Sequence, residues 1–408
     1  MKGEPRRNGH ANRHLKIGQG LLFFFLLLLF LVLAGGCWDR RELENLAVVL
    51  GIGVHLPAQG EGYEVSFQIV RAAQIQGPTG ETGGGGGTIK PVWILRTSGP
   101  TVFEAVRNAT LQSSRRLFLA HNQAVIISTE VAQKGIMPAL DFFLRDHESR
   151  SIQWLLLTPA DPVEVLDAAA GLERVSALAI NDLIEDYRST SKIRPVNIGN
   201  YMETAMQKTS ANTLPIIRVK ETAGKRELLM DGTGVVKDDR LVGALNAKET
   251  RGLLWVLGEV KGGVNTVDLP DGAKATLEIF TAATKVKVEA IEEKVRVGIE
   301  VKVQSSLGAQ TTTDDLSTPG QIKKLAALQG QVIEDEIRAA LRKAKEYKAD
   351  IFGFGEYLFK HDFPAWQRLV KEWERHFAGA EVEIKVEVQV ENLGLVTRPA
   401  FPKETGEK

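Results

Sequence analysis

TKVKVEAIEEKVRVGIEVKV, residues 284–303, decides how the second half of this chain folds. Val295, Val297, Ile299, Val301 and Val303 fall on one side of the run, and Arg296, Glu300 and Lys302 on the other. Alternation with a period of two marks a strand with one buried and one wet face, the habit of antiparallel sheets. Two strands, 284–291 and 295–303, are joined here through Glu292-Glu293-Lys294. A third alternating run, 381–391, sets Val or Ile against acidic or polar neighbours. Between them Thr318-Pro319-Gly320-Gln321 opens a long helix, with Thr at the N-cap, Pro at N1 and Gln at N3. Its apolar stripe is Ile322, Leu325, Leu328, Val332, Ile337 and Leu341, and the polar stretch 305–315 before it reads as a loop. A shorter helix near Pro364 aligns Trp366, Leu369, Val370, Trp373 and Phe377.

Upstream the texture changes. Apolar segments at 46–56 (carrying Gly51 and Gly53), 124–127 and 152–157, with alternating or short strands at 63–70 and 92–96, are interleaved with helical patterns at 137–144, 162–169 and 174–187. Thr101 and Glu104 have capping-box spacing and open a helix with Val102, Ala105, Val106 and Ala109 on one face. Strands alternating with helices at this pitch predict an α/β layer with helices packed on a sheet. Residues 195–213 are polar and interrupted, an inter-domain passage holding a short helix, and short strands follow from 227 to 245 with turn signals at Asp231-Gly232 and Asp238-Asp239. The expected fold is α+β and multidomain. An N-terminal mixed α/β domain over 37–215 precedes a C-terminal domain over 226–398 with a largely antiparallel sheet packed by a long helix, giving two or three structural domains in all.

The first 36 residues stand apart. Lys2, Arg6, Arg7, Arg13 and Lys16 precede an unbroken apolar run, 21–33, and then Ala34-Gly35-Gly36-Cys37. This is the layout of a secretory signal peptide. Thirteen apolar residues at about 1.5 Å each are short for a hydrocarbon core of roughly 30 Å. Ending in the chain's one cysteine, the segment resembles a bacterial lipobox, in which the thiol is lipidated and becomes the new N-terminus. The competing reading is an uncleaved N-terminal anchor. A diacylglyceryl thioether brings at least two acyl chains, enough for stable anchoring where one is marginal. A lone thiol also excludes an intramolecular disulfide.

The whole chain carries 51 Lys/Arg and 51 Asp/Glu, and residues 1–36 hold five and one of them, so the remainder has a net charge of −4. Mild acidity argues against nucleic acid and against a polybasic grip on lipid. With 43% hydrophobic and 25% charged residues the body is ordinary globular protein. The glycine run 80–87, broken by Glu81 and Thr82, lacks the Gly-Lys-Ser/Thr ending of a phosphate loop and reads as a hairpin tip.

Cys37-Trp38-Asp39-Arg40-Arg41-Glu42, followed by Leu46-Ala47-Val48-Val49-Leu50-Gly51-Ile52-Gly53-Val54, resembles the start of mature spore-germination lipoproteins, the Ger(x)C family. Lys348-Ala349-Asp350-Ile351-Phe352-Gly353-Phe354-Gly355 is similar to the family's segment between its long helix and its Trp-containing helix, and the resemblance extends over Trp366, Trp373, the strand 381–391 and Gly394. The resemblance implies a C subunit of a nutrient germinant receptor, held by lipid on the outer face of the inner spore membrane. It also implies assembly with two polytopic membrane subunits of A and B type. The residues alone imply only an exported, lipid-tethered, multidomain protein.

No chemistry announces itself. The five histidines beyond the signal, His55, His121, His147, His361 and His376, show no metal-ligand spacing, Asp314-Asp315 and Asp238-Asp239 sit in turn contexts, and no Gly-x-Ser-x-Gly elbow is present. No catalytic residue, metal or cofactor is expected. Trp38, Asp39, Arg40, Arg41 and Glu42 have two readings: a juxtamembrane spacer with the ring at headgroup depth, or a docking segment whose arginine forks pair with carboxylates. Trp366 and Trp373 share a helix face with Leu369 and Phe377 and are expected in the core. A solute-binding lipoprotein of an importer is the alternative function, but such proteins show two similar lobes, and these halves differ. A surface hydrolase lacks its motifs.

Overall fold

Apolar runs without alternation become the middle of a sheet covered on both faces. In the computed structural model, which describes residues 24–25, 45–71, 90–168 and 172–391, the chain first lays down β1 (Leu46–His55), β2 (Tyr63–Val70) and β3 (Val92–Gly99). There follow α1 (Val102–Asn108), β4 (Arg116–Phe118), β5 (Ala124–Ser128), α2 (Thr129–Lys134), α3 (Met137–Arg145), β6 (Trp154–Thr158), α4 (Pro162–Leu166), α5 (Ser176–Glu185) and α6 (Ile198–Ala205). β7 (Asn212–Thr222), β8 (Lys225–Lys237) and β9 (Arg240–Leu245) complete a nine-stranded sheet in the order β3-β2-β1-β5-β6-β7-β8-β9, with β4 paired to β1 off this path. β1, β5, β6 and β7 are parallel neighbours, and the outer strands are antiparallel.

The helix starts are local chemistry. The Thr101 hydroxyl accepts from the Glu104 N–H at 3.2 Å, so the expected N-cap forms, and Val102, Ala105, Val106 and Ala109 are all buried. Ser128 and Asp161 cap α2 and α4 in the same way. On one sheet face Val125, Ile127, Leu155 and Leu157 join the core under α1, α2 and α3; on the other Ala124, Ile126 and Leu156 meet Val165 of α4 and Ile180 of α5. β1 reaches its face irregularly. A register shift between Val49 and Gly51 lets Ala47, Val49, Ile52 and Val54 share one core, with no simple period of two. Gly53 allows α4 to lie against β1, because a Cβ there would strike Pro162.

The second sheet follows α7 (Ala247–Leu257): β10 (Val264–Asp268), β11 (Lys274–Ile291) and β12 (Lys294–Gln310) form an antiparallel meander, and β13 (Glu381–Glu391) adds in parallel to β12. Glu292-Glu293 make the hairpin, with Ile291 opposite Lys294 and Glu292 at φ 55°. α8 (Pro319–Tyr347) lies on the buried face, with α9 (Phe354–His361), α10 (Phe363–Leu369) and α11 (Trp373–Ala378) at its end. Val295, Val297, Ile299, Val301 and Val303 are all buried against Ile333, Ile337 and Leu341, as the alternation predicts. α7 crosses α8 through a buried polar contact: Trp255 Nε1 donates to Glu336 Oε2 at 2.7 Å, and Arg251 Nε lies 3.5 Å from the same oxygen.

The α+β class with a mixed first layer and a largely antiparallel second is the one expected. Three local expectations are corrected. Residues 305–310 are strand and not loop, because Ser305 Oγ donates to Gln329 Oε1 at 2.6 Å while Gln329 Nε2 donates to Asn265 Oδ1 at 3.2 Å, so polar side chains sit satisfied inside the layer. Asp231-Gly232 is no turn but a bulge opposite Ile216, within β8. Val370 leaves the helix face through a 3₁₀ step and is 39% exposed. Near the change of texture at 227 the first sheet passes from parallel to antiparallel pairing, with β7, β8 and β9 as its last three strands. The segment 80–87, Cys37 and Gly394 lie outside the described residues.

Candidate functional site

Where the helices under the two sheets meet, four chain segments leave a cleft of about 750 Å³: 201–212, 236–239, 348–350 and 370–377. Its floor is held by the Asp238-Asp239 turn between β8 and β9, both residues at positive φ (48° and 67°) as a tight hairpin requires. Asp239 accepts from the Ile136 and Met137 N–H groups at 3.2 and 2.8 Å, covering the start of α3. Burial, with Asp239 beside it, pushes the Tyr201 phenol well above its ordinary range, so it stays protonated. Met137, Met202 and Met206, three of the chain's five methionines, line one wall.

The opposite wall includes Lys348–Asp350, the start of the segment Lys348–Gly355 singled out in the sequence, and each feature of that segment has a physical reason. Lys348 ends α8 in the left-handed region at φ 49°. The Asp350 carboxylate is buried and accepts from Phe354 N at 3.1 Å, Gly355 N at 2.8 Å and Trp373 Nε1 at 3.2 Å. Burial pushes this carboxyl above its usual range, against the pull of those donors. Gly353 takes φ 74°, and Gly355 must lack a Cβ because Thr209 and the Trp373 ring occupy that space. Phe352 and Phe354 stack with centroids 5.2 Å apart. Trp366 and Trp373 are in the core, 4% and 5% exposed, as expected, and meet edge to face at 5.7 Å. The Ala211 N–H donates to the Asp350 carbonyl at 2.9 Å, tying the two walls together. Thr209 Oγ1 and Ser210 Oγ are buried beside this contact with no hydrogen-bond partner among the described residues.

A constellation that sequence reasoning missed lies in the first sheet. His55 Nε2 is 3.1 Å from Ser66 Oγ, and His55 Nδ1 is 4.0 Å from Asp161 Oδ1. The residue types are those of a nucleophile–base–acid triad, but the geometry does not assemble one. Ser66 is 0% exposed, the His–Asp distance exceeds a hydrogen bond, and Asp161 is already committed to the Val163 N–H at 2.9 Å and to Arg96. Burial lowers the His55 pKa below its ordinary value, with Asp161 and Glu64 opposing, so the imidazole is held neutral. This is a satisfied core histidine. Among the described residues no group of His, Cys, Asp and Glu could hold a metal ion, and no helix is long and apolar enough to cross a membrane. Cys37, Trp38, Asp39, Arg40, Arg41 and Glu42 lie outside the described residues.

Fold and site together define a two-sheet α+β protein with a cleft of about 750 Å³ between its layers. Sequence profiles identify it further: residues 39–219 match the "spore germination protein N-terminal domain" and residues 231–394 "spore germination B3/GerAC like, C-terminal". The chain belongs to this family of spore germination proteins. A relative from Bacillus subtilis (strain 168), "Putative spore germination protein YfkR", is 25% identical over 91% of this chain and 96% of its own. Spore germination protein KC of the same organism is 24% identical over 93% of this chain and 97% of its own. The crystal structure of the GerBC protein superimposes with a TM-score of 0.56 at 17% identity, covering 87% of this chain and all of that one, and shows the same fold.

Proposed function

We propose that this chain is the lipid-anchored C subunit of a nutrient germinant receptor. Lipidated at Cys37, it sits on the extracytoplasmic face of the inner spore membrane and assembles there with two polytopic subunits of A and B type. It turns over no substrate; it stabilises the signalling assembly. The observation that carries this reading is full-length similarity to spore germination proteins through both halves of the chain, behind an apolar segment that ends in a single cysteine. A tether raises the effective concentration of a weakly binding surface, so an anchored subunit can act through contacts too weak to hold a free protein. The segment Trp38–Glu42 docks in this assembly, with Arg40 and Arg41 paired to carboxylates.

The test is a spore carrying Cys37→Ser. The expected result is a subunit left unprocessed or released from membranes, loss of copurification with the two polytopic proteins, and a blunted nutrient response. Membrane retention with a normal response would overturn the reading. In a second strain, Arg40→Glu/Arg41→Glu at normal subunit level is expected to weaken germination, since breaking a desolvated ion pair costs about 3–5 kcal/mol. An unchanged response would leave the segment as a spacer.

A further inference from the structure

The two ends of the parallel strands differ in charge and in apolar exposure. β1, β5 and β6 start at one end, where β2 finishes and β3 starts. β4 lies at this end too, because β2 and β5 already occupy both edges of β1 from Gly51 to Val54 and Leu50 accepts from the Gln123 N–H. The loop between α4 and α5 closes the same end from the other face: α4 runs from Gly53 back to Gly51, Asp167 pairs with Lys90 at 2.7 Å, and Val175 packs with Leu50 and Val92. Over residues 71, 90–91, 109–123, 146–153, 167–168 and 172–175, six cations (Arg71, Lys90, Arg115, Arg116, Arg150, Arg174) outnumber four carboxylates (Asp146, Glu148, Asp167, Glu173). At the opposite end, over residues 56–64, 96–104, 128–136 and 158–164, six carboxylates outnumber two cations, Arg96 and Lys134. Leu111, 84% exposed, Ile152, 66%, and Leu172, fully exposed, stand at the cationic end. Each has an arginine within four residues, and two of these, Arg115 and Arg150, make no ion pair among the described residues. The acidic end shows one such apolar side chain, Phe103, which stacks on Phe142 and lies under the Arg107 guanidinium.

We propose that the cationic end of the first sheet rests on the surface of an anionic bilayer, with the acidic end turned away from it. Leu111, Ile152 and Leu172 enter the interface, while Arg115 and Arg150 lay their aliphatic stems along it and reach the lipid phosphates. Where the chain enters the fold supports this occupant. Cys37 stands nine residues before Leu46, the first residue of β1, and nine residues span at most about 30 Å. An acylated Cys37 therefore keeps the start of β1 within that distance of the membrane. A tether of this length limits distance and leaves orientation open, so charge and exposed apolar side chains choose the end that faces lipid. The balance over the whole chain, which argues against a polybasic grip, hides this division between the ends. The inference rests on lipidation of Cys37 and needs no other subunit.

The test uses the full-length lipidated chain, without other proteins, in vesicles of phosphatidylglycerol and phosphatidylcholine. Cys37 is the one cysteine and is blocked by lipid, so Ile152→Cys and, as control, Glu61→Cys can each be labelled with a polarity-sensitive dye. Both positions are exposed, so the label leaves the fold intact. The dye at 152 is expected to shift to the blue and to be quenched by doxyl-labelled lipid roughly threefold or more above the dye at 61. Adding Arg115→Glu/Arg150→Glu should cut quenching at 152 by roughly threefold, and raised salt should do the same to the unreversed chain. The share of protein that floats with the vesicles should stay unchanged, since the acyl chains hold it, and so should the melting temperature, since both arginines are exposed. Three results overturn the inference: equal quenching at 152 and 61, quenching at 152 indifferent to charge reversal, or quenching at 152 that appears only when the polytopic subunits are added, which would make protein the occupant. If the wild-type chain does not float with the vesicles, lipid anchoring falls and this inference with it; an anchored chain whose two ends behave alike removes the inference alone.

Discussion

The first sheet is covered on both faces and the second on one, and the two tolerate polar residues by different means. Every residue of β5 is buried, so a polar side chain in this layer must find a partner inside it. Gln68 does so by donating to the Leu166 carbonyl at 2.5 Å and accepting from the Ala177 N–H at 3.1 Å, which ties β2 to α4 and α5. His55 does so with Ser66. In the second sheet the face away from α8 is wet and carries cross-strand ion pairs, Arg296 with Glu381 at 3.0 Å and Lys302 with Glu387 at 3.2 Å. The difference teaches where substitutions will hurt. Sensitivity should alternate along β12 and stay continuous along β5 and β6.

The largest effect is expected where the second layer meets the cleft. Trp373→Ala removes a buried ring and one donor to Asp350, and should cost about 3–5 kcal/mol in denaturant unfolding. A loss below about 0.5 kcal/mol would put the ring at the surface and detach the cleft wall from the core. Next come the two sheets directly. Leu156→Ala and Leu155→Ala point to opposite faces of β6, yet each should cost about 2–5 kcal/mol, because both faces are covered. Should one of the pair prove neutral, the first sheet would be one-sided like the second and the contrast would fail.

How much of this was legible follows from the same contrast. Alternation names the buried face of β12 without ambiguity, because one face is wet and charged residues can mark it. Two-sided burial removes that marker, and in β1 the register shift after Val49 scrambles what periodicity remains. The end of β12 was hidden for another reason: Ser305 and Ser306 look like loop, and only Gln329, on a distant helix, makes a buried serine affordable. The cleft could not be read from sequence, since its walls come from segments more than a hundred residues apart. One wall was nonetheless signalled by the motif from Lys348 to Gly355, whose glycines and buried carboxylate are needed where they stand. The His55–Ser66–Asp161 grouping gave no signal, being a product of strand pairing and a helix cap.

A smaller effect sharpens the account of polar residues in the two-sided layer. His55 is kept neutral in the fold, its pKa lowered first by burial, with Asp161, Glu64 and Glu130 raising it and Arg96 lowering it. Below about pH 6.5, the ordinary value, the unfolded chain takes up a proton that the folded chain refuses. This stability is thus complete above about 6.5 and is lost as pH falls from there towards the lowered folded pKa, at no more than about 1.4 kcal/mol per unit. His55→Gln, which can still reach Ser66, should flatten the curve between about pH 6.5 and 5 relative to wild type. Identical slopes in the two proteins would mean that this imidazole is as solvated as any on the wet face.

The smallest expected effect tests the wet face itself. Lys302 and Glu387 face each other across β12 and β13 at 3.2 Å with side chains 67% and 48% exposed. Exposed pairs of this kind are screened by water and salt and cost side-chain entropy to hold, so Lys302→Ala should shift stability by less than about 0.5 kcal/mol. Its neighbour Val303→Ala, one step along the same strand but pointing at α8, should cost about 1–3 kcal/mol. The ratio between these adjacent positions is the quantity of interest, because strand, sheet and solvent are shared and only the direction of the side chain differs. If Lys302→Ala costs as much as Val303→Ala, the outer face of the second sheet is covered in solution, and the one-sided burial on which the contrast rests does not hold.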